Sequence, residues 1–312
     1  MKQVDMEAIL EDLRTSKNKK MVLDTDTYNE VDDQFAVAYA MTAEDIDVLA
    51  MTAAPFTNPR SVSPEDGMEK SYHELVAVRD MVDPGSKIPC YRGSRAYLVD
   101  RKTPQPSEAA EAIVRLAHET DGRLYVACIG CFTNVASALL LDPSIAEKIV
   151  VILVGFHQFG ICCANEFNLR QDYNAGHVIL ECGVPTVILP AKHCTEALRT
   201  TAAEMMAYFG NGAAGKIGYY LISLLVREHG PVILEDGTCN PITRIIWDIA
   251  SVAFLRNPDE NCVTEIVDAH TLDDDKNWTP TNDGRKMIYV SAFRRDRVYT
   301  DFYTLLRRGI KR

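Results

Sequence analysis

The run Lys148-Ile149-Val150-Val151-Ile152-Leu153-Val154 constrains the fold more than any other stretch of the chain. After the lysine every residue is apolar and most are β-branched. The apolar–polar alternation of a strand with one wet face is missing. Such a strand is buried on both sides, as a central strand of a parallel sheet is. Shorter runs of the same kind recur at Lys20–Leu23, Val48–Thr52, Leu124–Ile129 and Thr186–Leu189. Helical patterns fall between them, at Val31–Met41, Pro64–Val82, Val135–Leu141 and Tyr173–Cys182. This rhythm predicts an α/β fold, an open, mostly parallel sheet with helices on both faces. Glu196–Glu228 reads as two helices about a glycine break at Gly210–Gly215. Ile242–Leu255 reads as another helix, and the C-terminal part is mixed.

No linker divides the chain. Residues 20–312 are expected to form a single domain, preceded by a short amphipathic helix capped by Asp5 and a basic linker over residues 1–19. A chain of 312 residues with 47% hydrophobic and 25% charged residues can bury a large core without disulfide or metal staples. The N-terminal segment lacks the apolar core of a signal peptide, and no window approaches 18 apolar residues. With nine cysteines, an odd number, the expectation is a cytoplasmic protein with reduced thiols. The net charge of -11 argues against nucleic acid or an anionic membrane as a partner.

Several motifs carry no chemistry on inspection. Gly210-Asn211-Gly212-Ala213-Ala214-Gly215-Lys216 imitates a phosphate loop, but a helical stretch precedes it where a strand is required, and Ile217 replaces the hydroxyl residue. It is read as a helix–helix turn. Cys128-x-x-Cys131 has no second pair at zinc-ribbon spacing and is read as packing, as is Cys162-Cys163. A serine-hydrolase elbow is missing.

In open α/β sheets ligands bind beyond the carboxyl ends of the strands. Directly after the first run comes Asp24-Thr25-Asp26-Thr27-Tyr28-Asn29-Glu30-Val31-Asp32-Asp33, four aspartates and a glutamate in ten residues. A helix start capped by Asn29 or Glu30 would account for one or two acids. Asp24 and Asp26, at the strand end, remain. Crowded carboxylates repel unless a cation offsets them, and an all-oxygen set suits Ca²⁺ or Mg²⁺ better than zinc.

This stretch resembles the D-x-D-P-G-x-D-D signature of the inosine-uridine preferring nucleoside hydrolase family. Gly130-Cys131-Phe132-Thr133-Asn134-Val135-Ala136 is similar to that family's G-P-L-T-N-L-A segment. Val154-Gly155 followed by Glu166-Phe167-Asn168 resembles G-G…A-E-F-N, and Trp247-Asp248-Ile249-Ala250 resembles H-D-x-x-A. The resemblance spans roughly residues 20 to 310. It implies a Ca²⁺-dependent hydrolase of ribonucleosides or related N-ribosides, expected as a homodimer or tetramer. By position, Asp26, Asp33 and Asp248 with the Thr133 carbonyl would hold Ca²⁺, and Asp32 would activate a water as general base. Glu166 and Asn168 would bind the ribose, Asn58 and Asn165 would assist, and Asp24 would support the ligands from behind. The chemistry suits these residue types. An oxocarbenium-like state is stabilised by carboxylates, and a clamp on the sugar fixes geometry.

The sequence also departs from the pattern. Asp26 and Asp32 are six positions apart, not the usual four, so the loop carries Tyr28, Asn29 and Glu30 toward the pocket. Glu30 is an extra ligand, a substrate contact or a helix-start charge. Gly160 stands where the family often has a ribose-binding asparagine. Trp247 replaces a histidine that protonates the departing base, leaving stacking on Trp247, or His157 or His193 after strands, to assist departure. Tyr219 and Tyr220 are base-pocket candidates that their apolar helix marks as core. Two other functions remain open: a ribose-binding homologue without turnover, and a Mg²⁺-dependent phosphohydrolase with Asp24 as nucleophile.

Overall fold

A computed structural model describes residues 5–229, 232–233, 239–240 and 243–309. Eight strands form the main sheet: β1 (Lys19–Thr25), β2 (Ile46–Ala53), β3 (Cys90–Arg92), β4 (Leu124–Cys128), β5 (Ile149–Val154), β6 (Thr186–Leu189), β7 (Cys262–Asp268) and β8 (Lys286–Phe293). Their spatial order is β7-β8-β6-β5-β4-β1-β2-β3. Neighbours pair in parallel, apart from edge strand β7, which runs antiparallel to β8. β5 lies between β4 and β6 with all six residues buried, as its unbroken apolar run requires.

Helices cover both faces and define two apolar layers. Phe35, Tyr39, Leu75 and Phe302 belong to one; Ile113, Phe132, Val135 and Ile179 belong to the other. The predicted helix Pro64–Val82 is observed with those bounds, opened by Ser63, whose hydroxyl accepts the Asp66 N–H, and by Pro64 in the first turn. The helices Ala202–Phe209 and Gly215–His229 flank the glycine-rich turn, and residues 128 and 131 are buried free cysteines.

Two expectations change. Helix Ile249–Arg256 begins later than Ile242, a residue outside the described ones. Arg244–Ile245 instead pairs antiparallel with Arg199–Thr200, and Asp248 takes the N-cap position. Tyr219 is 53% exposed, whereas Tyr220 is partly buried and its hydroxyl donates to Glu74.

The N-terminal helix Met6–Thr15 is integral to the domain. Asp5 caps it, and Met6, Ile9, Leu10 and Leu13 are buried. Arg14 Nε donates to Asp259 at 2.8 Å, and the Tyr125 hydroxyl donates to Asp12. No described helix is long and apolar enough to cross a membrane.

Because β1, β4, β5 and β6 are parallel, the residues following them emerge along one edge. Asp26 follows β1, Ile129 follows β4, Gly155–His157 follow β5, and Ala191 and Lys192 follow β6.

Candidate active site

Along that edge lies a cavity of about 230 Å³ that opens to solvent. Its wall includes Asp26, Asp32, Asp33 and Asp248 on one side of the chemistry, and Glu166, Asn168 and Asn165 on another. Trp247, His157, Lys192, Asn29 and Glu30 also line it.

The four aspartates are all buried. Oxygens of Asp32, Asp33 and Asp248 lie within 4.8 Å of one another. Asp32 and Asp248 each occupy a helix N-cap position, yet neither side chain caps its helix. Both carboxylates are thereby left for the cavity, where Asp32 Oδ2 accepts the Trp247 backbone N–H at 3.2 Å. Asp33 Oδ1 accepts from Thr25 Oγ1 at 2.5 Å and from the Asp26 N–H at 3.1 Å. Asp26 Oδ2 is buried without a partner. Burial, reinforced by mutual repulsion, raises these acids: Asp32 to about 8, Asp33, chiefly by burial, to about 6, and Asp26 and Asp248 well above the ordinary value.

Asp24 stands behind this group. In register it lies between Thr52 and Cys128. It accepts from Thr52 Oγ1 at 2.6 Å, Asn134 Nδ2 at 2.8 Å and Cys128 Sγ at 3.4 Å. It does not line the cavity. Gly130 keeps room for the acids, since a Cβ there would stand 3.1 Å from Asp26 Cγ and 2.9 Å from Ala54 Cβ.

Glu166 caps the helix Phe167–Gln171, accepting from the Asn168 N–H at 3.0 Å and the Leu169 N–H at 2.8 Å. Burial raises its pKa against these bonds. Asn168 Nδ2 donates at 2.9 Å to the carbonyls of both Ile129 and Val154, tying the ends of β4 and β5 together. Its Oδ1 is left over. Gly155 gives these groups space, because a Cβ would come 3.1 Å from Glu166 Oε2 and 2.8 Å from Phe132 Cζ.

Nine of the ten site residues expected from the sequence lie in or beside the cavity. Asn58 does so at one remove: its Nδ2 donates to Asn29 Oδ1 at 2.6 Å, and Asn29 forms the wall. Thr133 is not brought there. It opens the helix Thr133–Leu141, so its carbonyl runs along that helix axis, and its hydroxyl donates to Asp172 at 2.7 Å. The wall residue from this segment is Ile129. His193 is exposed and lies off the wall, whereas His157 is part of it. The lengthened loop places Asn29 and Glu30 in the wall, and Glu30 is ion-paired with Arg244, a residue that no sequence motif marked.

An open, mostly parallel α/β sheet thus gathers buried carboxylates, with Glu166 and Asn168, around one cavity at its strand ends. The chain belongs to the inosine-uridine preferring nucleoside hydrolase family, whose sequence model matches residues 21–259. Uridine nucleosidase 1 of Arabidopsis thaliana is 28% identical over 195 residues, 55% of this chain and 56% of that protein. The pyrimidine-specific ribonucleoside hydrolase RihB of Escherichia coli is 24% identical over 166 residues, 50% of this chain and 49% of that one. The chain thus spans about half the length of these curated relatives. Its fold is shared with a purine-preferring ribonucleoside hydrolase from Gardnerella vaginalis, at TM-score 0.73 and 18% identity, covering 93% of this chain and 98% of the other. An inosine-guanosine nucleoside hydrolase superposes at TM-score 0.70 and 18% identity, with coverage of 93% and 98%.

Proposed function

We propose that this protein hydrolyses the N-glycosidic bond of a ribonucleoside or related N-riboside, releasing base and ribose, with Ca²⁺ bound among its aspartates. The observation that carries this reading is the four-aspartate cluster facing the same cavity as Glu166 and Asn168.

The donor set fits a hard cation. It is all oxygen, its carboxylates repel one another, and Asp26 Oδ2 has no protein partner. Asp26, Asp33 and Asp248 would hold the ion. We assign the carbonyl ligand to Ile129, at the end of β4, in place of Thr133. A Ca²⁺ ion held there would supply Lewis acidity toward water and would offset the charge of the crowded acids.

The remaining work falls to the chain. Asp32, freed from helix capping, accepts the proton of the attacking water. Its Trp247 N–H contact fixes its orientation. Glu166 and Asn168 Oδ1 take the ribose hydroxyls, holding the sugar over the aspartates. As the C1′–N bond breaks, the carboxylates stabilise the positive charge on the sugar. Trp247 offers the departing base a face to stack on, contributing about 1 kcal/mol.

The phosphohydrolase alternative needs Asp24 exposed as a nucleophile. Asp24 is enclosed by three hydrogen-bond donors and faces away from the cavity. The test is reducing-sugar release from a panel of purine and pyrimidine ribonucleosides, with calcium and with chelator. Calcium-dependent release supports the reading. Binding of nucleosides without sugar release would instead identify a ribose-binding homologue, and phosphate release from phosphate esters a phosphohydrolase.

A further inference from the structure

His157 is 4% exposed and forms part of the cavity wall. Neither ring nitrogen makes a hydrogen bond of ordinary geometry among the described residues, with only a looser contact to the Phe156 backbone. A neutral imidazole carries one donor and one acceptor, and leaving such a group unmet in a buried place is costly. The backbone around it is, by contrast, fully engaged. The His157 N–H donates to Cys163 Sγ at 3.3 Å, and its carbonyl accepts from Trp278 Nε1 at 2.8 Å. Phe156, just before it, has φ of 64°, a left-handed conformation that bulky residues seldom adopt. The Phe156 ring packs on Phe132 and Trp278 at centroid distances of 5.4 and 4.9 Å. Backbone strain of this sort persists only where the surroundings over-determine it. Here it precedes an imidazole that lines the cavity. The same turn lies beside Glu166, whose pKa burial raises and the Phe156 backbone helps to lower.

Resting on the nucleoside hydrolase reading, we propose that His157 is a catalytic residue that hydrogen-bonds the substrate's nucleobase and stabilises it as it departs. When the C1′–N bond breaks, its electron pair leaves with the base, and negative charge gathers on ring nitrogens and exocyclic oxygens. The imidazole N–H donates to one of those atoms. The hydroxyl of the attacking water bonds to C1′. The proton that Asp32 takes from that water returns through solvent to the base, so His157 lends a hydrogen bond and transfers no net proton. Burial, then the nearby Lys192, lowers the imidazole's pKa, in keeping with a neutral donor.

The test compares the full-length protein and two variants on inosine, uridine and p-nitrophenyl riboside, whose leaving group departs unaided. His157→Ala is expected to lower kcat on both nucleosides by about 10²-fold and to leave the nitrophenyl substrate within a factor of about 3. His157→Gln, which keeps an N–H donor, is expected to recover part of the loss, as a packing role would not. Equal losses on all three substrates, or unchanged nucleoside turnover, would overturn the assignment. Wild-type protein that cleaves none of the three would overturn the nucleoside hydrolase reading itself.

Discussion

Asp32 and Asp33 are adjacent in sequence, yet their carboxylates are held differently. Asp33 is braced by Thr25 and the Asp26 N–H, which suits the ligand role proposed for it. Asp32 accepts the Trp247 N–H and faces the cavity. Asp32→Asn is therefore expected to cut turnover by about 10²-fold or more while calcium binding survives. Asp33→Asn should weaken calcium binding and turnover together. Isothermal titration with Ca²⁺ alongside steady-state kinetics separates the two. Near-normal turnover in Asp32→Asn would refute the base assignment. At this scale the acids were legible because their chemistry is local in sequence. The Glu30–Arg244 pair joins residues 214 positions apart, and the bare imidazole of His157 is defined by what does not surround it. Neither leaves a trace in residue type or spacing.

Among the elements, the strand ends do the positioning, and glycines let them. Gly130→Ala would push a methyl to 2.9 Å from Ala54 Cβ and 3.1 Å from Asp26 Cγ. The expected result is a loss of about 1–3 kcal/mol in stability with weaker calcium binding, measured by denaturant unfolding and titration. The buried acids also set a pH dependence. With calcium chelated, Asp33 is raised to about 6 and Asp32 to about 8, from an ordinary 3.8. Their protonated forms favour the folded state, so that contribution is complete below the ordinary value and is lost as pH rises through 6 and then 8. Thermal melts in chelator should show Tm falling across this window, and excess Ca²⁺ should restore it at the alkaline end. A flat profile in chelator would contradict the burial of these groups. The strands β1, β2, β4, β5 and β6 were readable from apolar runs alone, since burial on both faces leaves no other pattern. Helix Ile249–Arg256 was read too long because Ile245, Ile246 and Trp247 continue its apolar pattern. The better signal was Asp248, a residue type that opens helices.

Across the whole molecule, the N-terminal helix is a load on the domain's stability, not an appendage. Leu13 is 1% exposed in the main core. Leu13→Ala should cost about 2–5 kcal/mol, read by chemical denaturation, and should leave kcat of the folded protein unchanged. A change below experimental error would show the helix to be dispensable. Sequence patterning marked this helix but not its destination, because docking depends on residues such as Asp259 and Tyr125 far along the chain. The active cavity has the same long reach. The contact between Asp32 and Trp247 closes a loop of 215 positions. During synthesis on the ribosome, β1, β4 and β5 emerge long before Asp248, so the acidic cluster waits, incomplete, through most of translation. A nascent chain halted before that residue would lack one of the four buried aspartates. The carboxylate cluster is thus completed only when the final quarter of the polypeptide arrives.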